Sequence, residues 1–474
     1  MTLPFDNSYS RLPERFYKKQ NPASVPDPRL LRLNRPLALE LGLDPDFLEG
    51  PDGLALFSGN GVPAEASPLA QAYSGHQFGN FSPQLGDGRA LLLGEVIDPS
   101  GQRRDLQLKG SGRTPFSRGG DGKSALGPVL REYLVSEAMH ALGIPSTRAL
   151  AAVSTGEAVY RQEGPVPGGV FTRIASSHLR VGTFQYFFAR QDHEAVKILS
   201  DYVISRHFPT ADSYLALLDS AIAAQASLIA QWMSVGFIHG VMNTDNCAIS
   251  GETIDFGPCA FMDEFHPERV FSSIDRGGRY AWRNQPAMAH WNLTRFAETL
   301  LPLIDQEEKT AIEKAEASLG TFAPQFQTRY LARFREKLAL VEDADPPIID
   351  RTLDLLATEK LDFTRFFREL TLAAAGENRS FFNSGEPLRA WFANWQKTPR
   401  PDDHLAKMRL ANPIRIPRNH RVEQAIAAAY EDDFAPFHRL ADASLRPFEE
   451  DESFHDLEAP PLPHEIVQET FCGT

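Results

Sequence analysis

A chain of 474 residues exceeds what one hydrophobic core usually supports, so at least two packed units are expected. Its 42% hydrophobic and 23% charged residues exclude a disordered chain, and three cysteines are too few for a disulfide scaffold. The 48 Lys and Arg against 62 Asp and Glu leave a net charge of −14, which would repel a phosphate backbone and argues against nucleic acid as a partner.

In chain order, residues 1–70 are rich in proline and leucine, with a short helical pattern from Pro28 to Leu43 and a turn-rich stretch from Glu49 to Pro68. They read as an amino-terminal extension packed on the core. From Arg89 to Lys109 two alternating runs flank a Pro-Ser-Gly turn, which predicts a β-hairpin. Leu126 to Leu142 carries apolar residues at helical spacing and is closed by Gly143 and Pro145. Strand-like runs follow at Ala149–Ser154, Ala158–Arg161 and Val170–Ile174, and beyond about residue 177 the pattern turns helical, with a long apolar segment from Ser213 to Gly236. The fold class expected is α+β: a mixed lobe over 71–176, a helical lobe over 177–474, and an acidic tail from Glu449 to Thr474 that is draped or mobile. Cys247, Cys259 and Cys472 form no C-x-x-C pair, so no structural zinc site is expected and a reducing compartment fits. The amino terminus has no apolar signal core, and no run of about 18 uninterrupted apolar residues follows, so a cytoplasmic protein without a membrane span is expected.

Four features occur in a telling order. Gln84-Leu85-Gly86-Asp87-Gly88-Arg89 is a glycine turn whose backbone N–H groups suit phosphate oxygens. Lys109 ends the next strand, and Glu132 lies 23 residues on in the predicted helix, a spacing that suits a lysine–glutamate pair positioning ATP phosphates. Glu137 is the rival glutamate, five residues along and on another face. Then come His239-Gly240-Val241-Met242-Asn243-Thr244-Asp245-Asn246, eight residues, and Asp255-Phe256-Gly257. Each feature alone has a bland reading, as a hairpin turn, a solvated ion pair or a chance tripeptide. Their order and spacing together spell a bilobal, protein-kinase-like site, with Asn246 and Asp255 where kinases hold divalent ions. One position departs: Val241 stands where a kinase has its catalytic aspartate, and Asp245 is the only carboxylate in the loop able to replace it. A Walker reading of Gly119 to Ser124 fails because Ser117 stands where glycine is needed.

Gly75-His76-Gln77-Phe78-Gly79, the Gly86–Arg89 turn, Leu108-Lys109-Gly110-Ser111-Gly112, Asp121-Gly122, the His239–Asn246 stretch and Asn412-Pro413-x-x-x-Pro417-Arg418-Asn419 resemble the selenoprotein O family over nearly the whole chain. The resemblance implies a pseudokinase-fold adenylyltransferase that moves AMP from ATP to Ser, Thr or Tyr hydroxyls of proteins, with Mg or Mn and an inverted nucleotide. It implies that Gly86, Gly88, Arg89, Lys109, Asp121, Gly122, Arg173, Arg180 and Asp255 bind nucleotide, that Glu132 orients Lys109, that Asp245 is the base, and that Asn246 and Asp255 bind metal. UMP transfer, a conventional kinase using Asp245, and a non-catalytic ATP-binding scaffold are the alternatives.

Taken alone, Arg173 and Arg180 read as surface arginines, on one face if their segment is helical and otherwise in a loop. His76 and His178 lie among the motifs but read as structural hydrogen-bond donors rather than catalytic acids. The family's terminal cysteine corresponds to Cys472, yet Val270 to Asp275, where a partner cysteine is implied, has none. Recruitment of Cys247 or Cys259 is disfavoured by their expected burial.

Overall fold

In the computed structural model of the chain, residues 3–161, 164–341, 347–377 and 380–471 are described, so Cys472 lies outside them. The chain opens with β1 (Tyr17–Lys19), β2 (Arg29–Leu33), α1 (Arg35–Glu40), α2 (Pro45–Glu49) and α3 (Pro51–Ser58). β3 (Leu69–Gln71), the hairpin β4 (Gly75–Gln77) and β5 (Asn80–Ser82), β6 (Ala90–Ile97), β7 (Arg103–Lys109) and β8 (Ser124–Ala125) lead to α4 (Leu126–Ala141). The long hairpin β9 (Arg148–Arg161) and β10 (Gly164–Ala175) completes an eight-stranded sheet of order β1-β3-β6-β7-β10-β9-β2, with β8 paired to β10.

Strand alternation gives this sheet two apolar faces. Leu93, Leu106, Leu150 and Val170 face Leu37, Leu56 and Phe57 from α1 and α3. Ala149, Ala152 and Phe171 face Leu130 and Leu134 of α4. Residues 3–70 therefore extend the sheet through β1 and β2 and cover one face of it.

The other half is mainly helical: α5 (Val181–Phe188), α6 (His193–His207), α7 (Tyr214–Ser234), the short pair β11 (Phe237–Ile238) and β12 (Ala260–Phe261), α8 (Gln285–Ile304), α9 (Glu308–Leu319), α10 (Phe322–Leu338), α11 (Pro347–Thr358), α12 (Phe363–Ala374), α13 (Glu386–Trp395), α14 (His404–Ala411), α15 (Asn419–Tyr430) and α16 (Ala435–Ser444). The helix α7 starts where Ser213 Oγ accepts the Ala216 amide, as an N-cap should. It is long and apolar enough to cross a membrane, but it runs through the largest core cluster, and 61% of its most apolar window is buried.

Several local expectations are corrected. Arg29–Leu33 is a strand paired with β9, a pairing that sets Leu30 and Leu33 against the α1–α3 side of the sheet and Leu31 against the α4 side. Pro51, Asp52 and Gly53 form the first turn of α3, with Pro51 pre-set for a helix start. Ala149–Ser154 and Ala158–Arg161 belong to one strand, β9, held continuous by its pairing with β10. The tail is draped, and it is pinned near its end: Thr470 donates its amide to Phe271 O at 2.7 Å and its hydroxyl to Pro258 O at 2.6 Å.

Candidate active site

Lys109 closes β7 on the same face as Gln107, opposite the face that buries Leu106 and Leu108. That face looks toward α4, where Glu132 sits in the second turn. Lys109 Nζ lies 2.5 Å from Glu132 Oε2 and 2.6 Å from Asp255 Oδ1. Arg173, opposite Gln107 in the register of β10 on β7, donates through Nη1 to Glu132 Oε1 at 3.1 Å and to Asp255 Oδ1 at 3.0 Å. Two cations and two carboxylates thus neutralise one another in a largely buried cluster. Burial works to raise the pKa of Asp255, but Lys109, Arg173 and Arg180 outweigh it and hold the carboxyl well below the usual range. Glu137 faces elsewhere, accepting from Arg148 and the Ala149 amide, both at 2.8 Å.

Arg173 and Arg180 share neither a helix nor a surface. Arg173 is in β10 and Arg180 is the N-cap of α5, and each side chain is only 1% exposed. The Arg180 guanidinium stacks 4.4 Å above the Tyr73 ring, with Nη1 3.6 Å from Asp87 Oδ1 and Nη2 4.0 Å from Asp255 Oδ2. Its Nε and Nη1 have no hydrogen-bond partner, nor does Asp87 Oδ1. Arg173 is oriented from behind by His178, whose Nε2 accepts from Arg173 Nε at 3.2 Å while Nδ1 donates to Asp105 Oδ2 at 2.9 Å. Burial pushes the His178 pKa down to about 4, so the ring is neutral and structural.

The glycine turn lies flat against the loop at 114–117. Gly86 has φ +74°, and a Cβ there would come within 2.3 Å of the Phe116 ring. Thr114 Oγ1 donates to Asp87 O at 2.6 Å, and Ser117 Oγ donates to Gly88 O. Asp121 accepts from the Lys123 amide and from Arg161, both at 2.9 Å. These loops open onto a cleft of about 890 Å³. Gly86, Gly88, Arg89, Lys109, Asp121, Gly122, Arg173, Arg180, Asp245, Asn246 and Asp255 all line it, while Glu132 stands behind Lys109.

The opposite wall is the loop that follows β11. His239 Nε2 donates to Ile254 O at 2.8 Å and Nδ1 accepts the Val241 amide at 3.3 Å, which ties this loop to the Asp255 segment. The hairpin β4–β5 docks onto it: Thr244 Oγ1 accepts the His76 amide at 2.7 Å, and Asn243 Oδ1 accepts the Phe78 amide at 3.0 Å and the Tyr280 hydroxyl at 2.6 Å. His76 thereby serves as a docking residue, its Nδ1 2.8 Å from Gln185 Nε2. Asp245 Oδ2 accepts from Gln77 Nε2 at 3.2 Å, but Oδ1 is buried without a partner, and burial pushes the carboxyl up to about 6. The close approach depends on Gly75, where a Cβ would lie 2.4 Å from Asp245 Oδ1.

Among the described residues no three His, Cys, Asp or Glu side chains converge as a metal-binding group. Asn246 donates its Nδ2 to Val241 O at 3.0 Å, which leaves its Oδ1 as the atom with lone pairs for a cation. That carbonyl and the Asp255 carboxylate both line the cleft, a sparse all-oxygen set that suits a hard divalent ion sharing its remaining positions with water and phosphate.

A family model described as "Protein adenylyltransferase SelO" matches residues 1–445. The chain belongs to the SelO family. It is 56% identical over 489 residues to the protein nucleotidyltransferase YdiU of Rhizobium meliloti (strain 1021), covering 99% of each chain. It is equally 56% identical over 484 residues to the protein of that name in Cereibacter sphaeroides (strain ATCC 17029 / ATH 2.4.9), covering 100% of both. Membership makes this SelO-family chain an enzyme of the protein nucleotidyltransferase class.

Some site residues had no sequence signal of their own. Tyr73, which stacks on Arg180, is one, recognised only when the chain between β3 and β4 meets the start of α5. Gln77, which bonds Asp245, and Asp87 and Asn243 stand inside the motifs, but nothing in the sequence assigns them a task. Cys247 and Cys259 are buried free thiols whose pKa values burial pushes up to about 12, so neither is a ready partner for a thiol.

Proposed function

We propose that this SelO-family enzyme is a two-lobed, protein-kinase-like AMP transferase that moves the nucleotidyl group of ATP onto Ser, Thr or Tyr hydroxyls of proteins. Residues 71–176 are its nucleotide-binding lobe and 177–474 its helical lobe. The observation that carries the reading is a pair of groups in one cleft whose hydrogen bonding is incomplete: Arg180, buried beside Asp87 and Asp255 with two guanidinium nitrogens that make no hydrogen bond, and Asp245, buried with one carboxylate oxygen that accepts none. A buried polar group without a partner is costly, and it is retained where a ligand supplies what is missing. An anion answers Arg180, and a hydroxyl proton answers Asp245.

On this reading Lys109, Arg173 and Arg180 hold phosphate oxygens, and the Gly86–Arg89 turn with Asp121 and Gly122 bounds the rest of the nucleotide. Asp245 accepts the proton of the acceptor hydroxyl as its oxygen bonds to the α-phosphorus, and the bond to the bridging oxygen breaks to release pyrophosphate. Val241 in the usual kinase base position supports attack at a phosphorus other than γ, with the nucleotide inverted. Asn246 and Asp255 would hold Mg2+ or Mn2+, which when bound neutralises charge on the phosphates.

The test is to incubate the enzyme with Mn2+, a protein acceptor and ATP labelled at either the α or the γ phosphate. Covalent attachment of the α label is expected. Attachment of the γ label would make it a kinase, and attachment of neither despite nucleotide binding would make it a scaffold. A parallel incubation with UTP labelled at the α phosphate measures UMP transfer directly.

A further inference from the structure

The stretch Asn412-Pro413-x-x-x-Pro417-Arg418-Asn419 supplies none of the described residues that line the cleft, yet it sits where two halves of the site are joined. Arg418, 2% exposed, donates through Nη1 to Asp263 Oδ1 at 2.5 Å and to Asp362 Oδ2 at 2.7 Å, and through Nε to Glu458 O at 2.9 Å. Asp263 lies eight residues beyond Asp255 on the segment that leaves the site. Arg418 is also the N-cap of α15, so the start of that helix is anchored to the helical half.

One residue further, α15 reaches the sheet half. Asn419 Oδ1 accepts from Arg131 Nη1 at 2.9 Å, and Glu423, one turn along, accepts from Arg131 Nη2. Arg131 immediately precedes Glu132 in α4. Gly127 lets α15 come close: a Cβ there would lie 2.7 Å from Tyr430 Oη and 2.9 Å from Ile426 Cγ2. Tyr133 meets Phe437 of α16 edge-on at 5.6 Å. The helix α4 is thus packed between the sheet and the α15–α16 pair.

We propose that α15 is a built-in positioning clamp for α4. Successive helix residues are about 100° apart, so Arg131 faces α15 while Glu132 faces β7 and β10. Holding Arg131 sets both the rotation of α4 and its place along the axis. A slip of one residue, about 1.5 Å, is enough to take the Glu132 carboxylate off Lys109 and Arg173. Because Arg418 ties the same helix to the Asp255 segment, the clamp registers Glu132 from one half against Asp255 from the other. Arg131, Asn419, Glu423 and Arg418 are positioning residues that touch no substrate. The inference rests on the proposed role of the Lys109–Glu132 pair in holding nucleotide.

The test is a double-mutant cycle on the full chain, reading ATP affinity with Mn2+ by calorimetry and the unfolding midpoint of each variant. Arg131→Met is expected to weaken ATP binding about tenfold in the wild-type background and to change it little once Glu132→Gln has broken the pair. Glu423→Gln, at a carboxylate that is 45% exposed, is expected to show the same pattern at a few-fold, and it carries the test if Arg131→Met does not fold. An equal loss in both backgrounds, or unchanged affinity in Arg131→Met while Glu132→Gln binds poorly, overturns the clamp. Unchanged affinity in Glu132→Gln overturns the role of the pair and the clamp with it. Which phosphate is transferred does not enter, so this result and the labelling result fail separately.

Discussion

On the sheet wall of the cleft, Lys109, Glu132 and Arg173 leave no charged atom without a partner, whereas on the loop wall Asp245 keeps one carboxylate oxygen buried and unpaired. The first wall is held in shape by opposite charges in a poorly solvated place, where removing one leaves its partner uncompensated. The second is held by close packing, with Gly75 and Gln77 against Asp245 and the β4–β5 hairpin bonded to the loop. Arg180 belongs with the second wall in this respect, since its Nε and Nη1 also make no hydrogen bond. A saturated cluster fixes geometry, and the unsatisfied groups beside it record what a ligand has to bring.

Substitutions can separate the two walls, beginning with the largest effect. Asp255→Ala removes the carboxylate on which Lys109 and Arg173 converge, and metal-dependent transfer is expected to fall by about 10³-fold or more. A rate within about tenfold of wild type under saturating metal would remove Asp255 from the site. Asp245→Asn should lower kcat by about 10²- to 10³-fold with ATP affinity kept, because it loses a proton acceptor and leaves the phosphate side intact. A parallel loss of ATP affinity would move Asp245 to the nucleotide and erase the contrast between the walls. Gly75→Ala should cost about tenfold in kcat with little change in KM for ATP, because its new methyl would meet Asp245 Oδ1 at 2.4 Å and leave Lys109 untouched. Steady-state kinetics that show the loss in KM instead would contradict a steric seat for the base.

The smallest effect probes how the saturated wall is supported. Burial lowers the pKa of His178 from 6.5 to about 4, so between these values the unfolded chain takes up a proton that the native chain refuses. Its contribution to stability is whole above about pH 6.5 and is lost as the pH falls toward about 4. His178→Gln keeps a donor for Asp105 and an acceptor for Arg173 without the titration, so its unfolding midpoint should fall less steeply over that window. The slope that remains belongs in part to His207, pushed down to about 3 by burial. Identical slopes in variant and wild type would show that His178 carries none of it.

Much of the site was legible because its chemistry is written in short, ordered motifs. The 23 residues from Lys109 to Glu132 run from the end of β7 through a loop and the short β8 to the second turn of α4, and periodicity places both side chains. That Asp245 is the carboxylate available in place of Val241 was equally plain, since only one carboxylate exists in that loop. Arg173 and Arg180 were not legible without the family resemblance, because nothing in an arginine's neighbours tells whether it is solvated or sealed under a sheet and a tyrosine ring. Arg29–Leu33 and Pro51–Ser58 misled for the same reason, their local patterns being weaker than the strand pairing and helix packing that claim them.

The amino-acid sequence by itself determined the α+β character, the order of the strand, helix and loop that bear the chemistry, and the identity of several groups facing the cleft, Lys109, Asp245, Asn246 and Asp255 among them. Tertiary structure decided which of those groups are satisfied and which are left waiting, and what holds the Glu132 helix in register. Those outcomes rest on contacts such as Arg131 with Asn419, 288 residues apart, and on the burial of Asp245 beneath Gly75. Hydrogen-bond saturation and burial are properties of a closed three-dimensional packing, and no window of consecutive residues contains them.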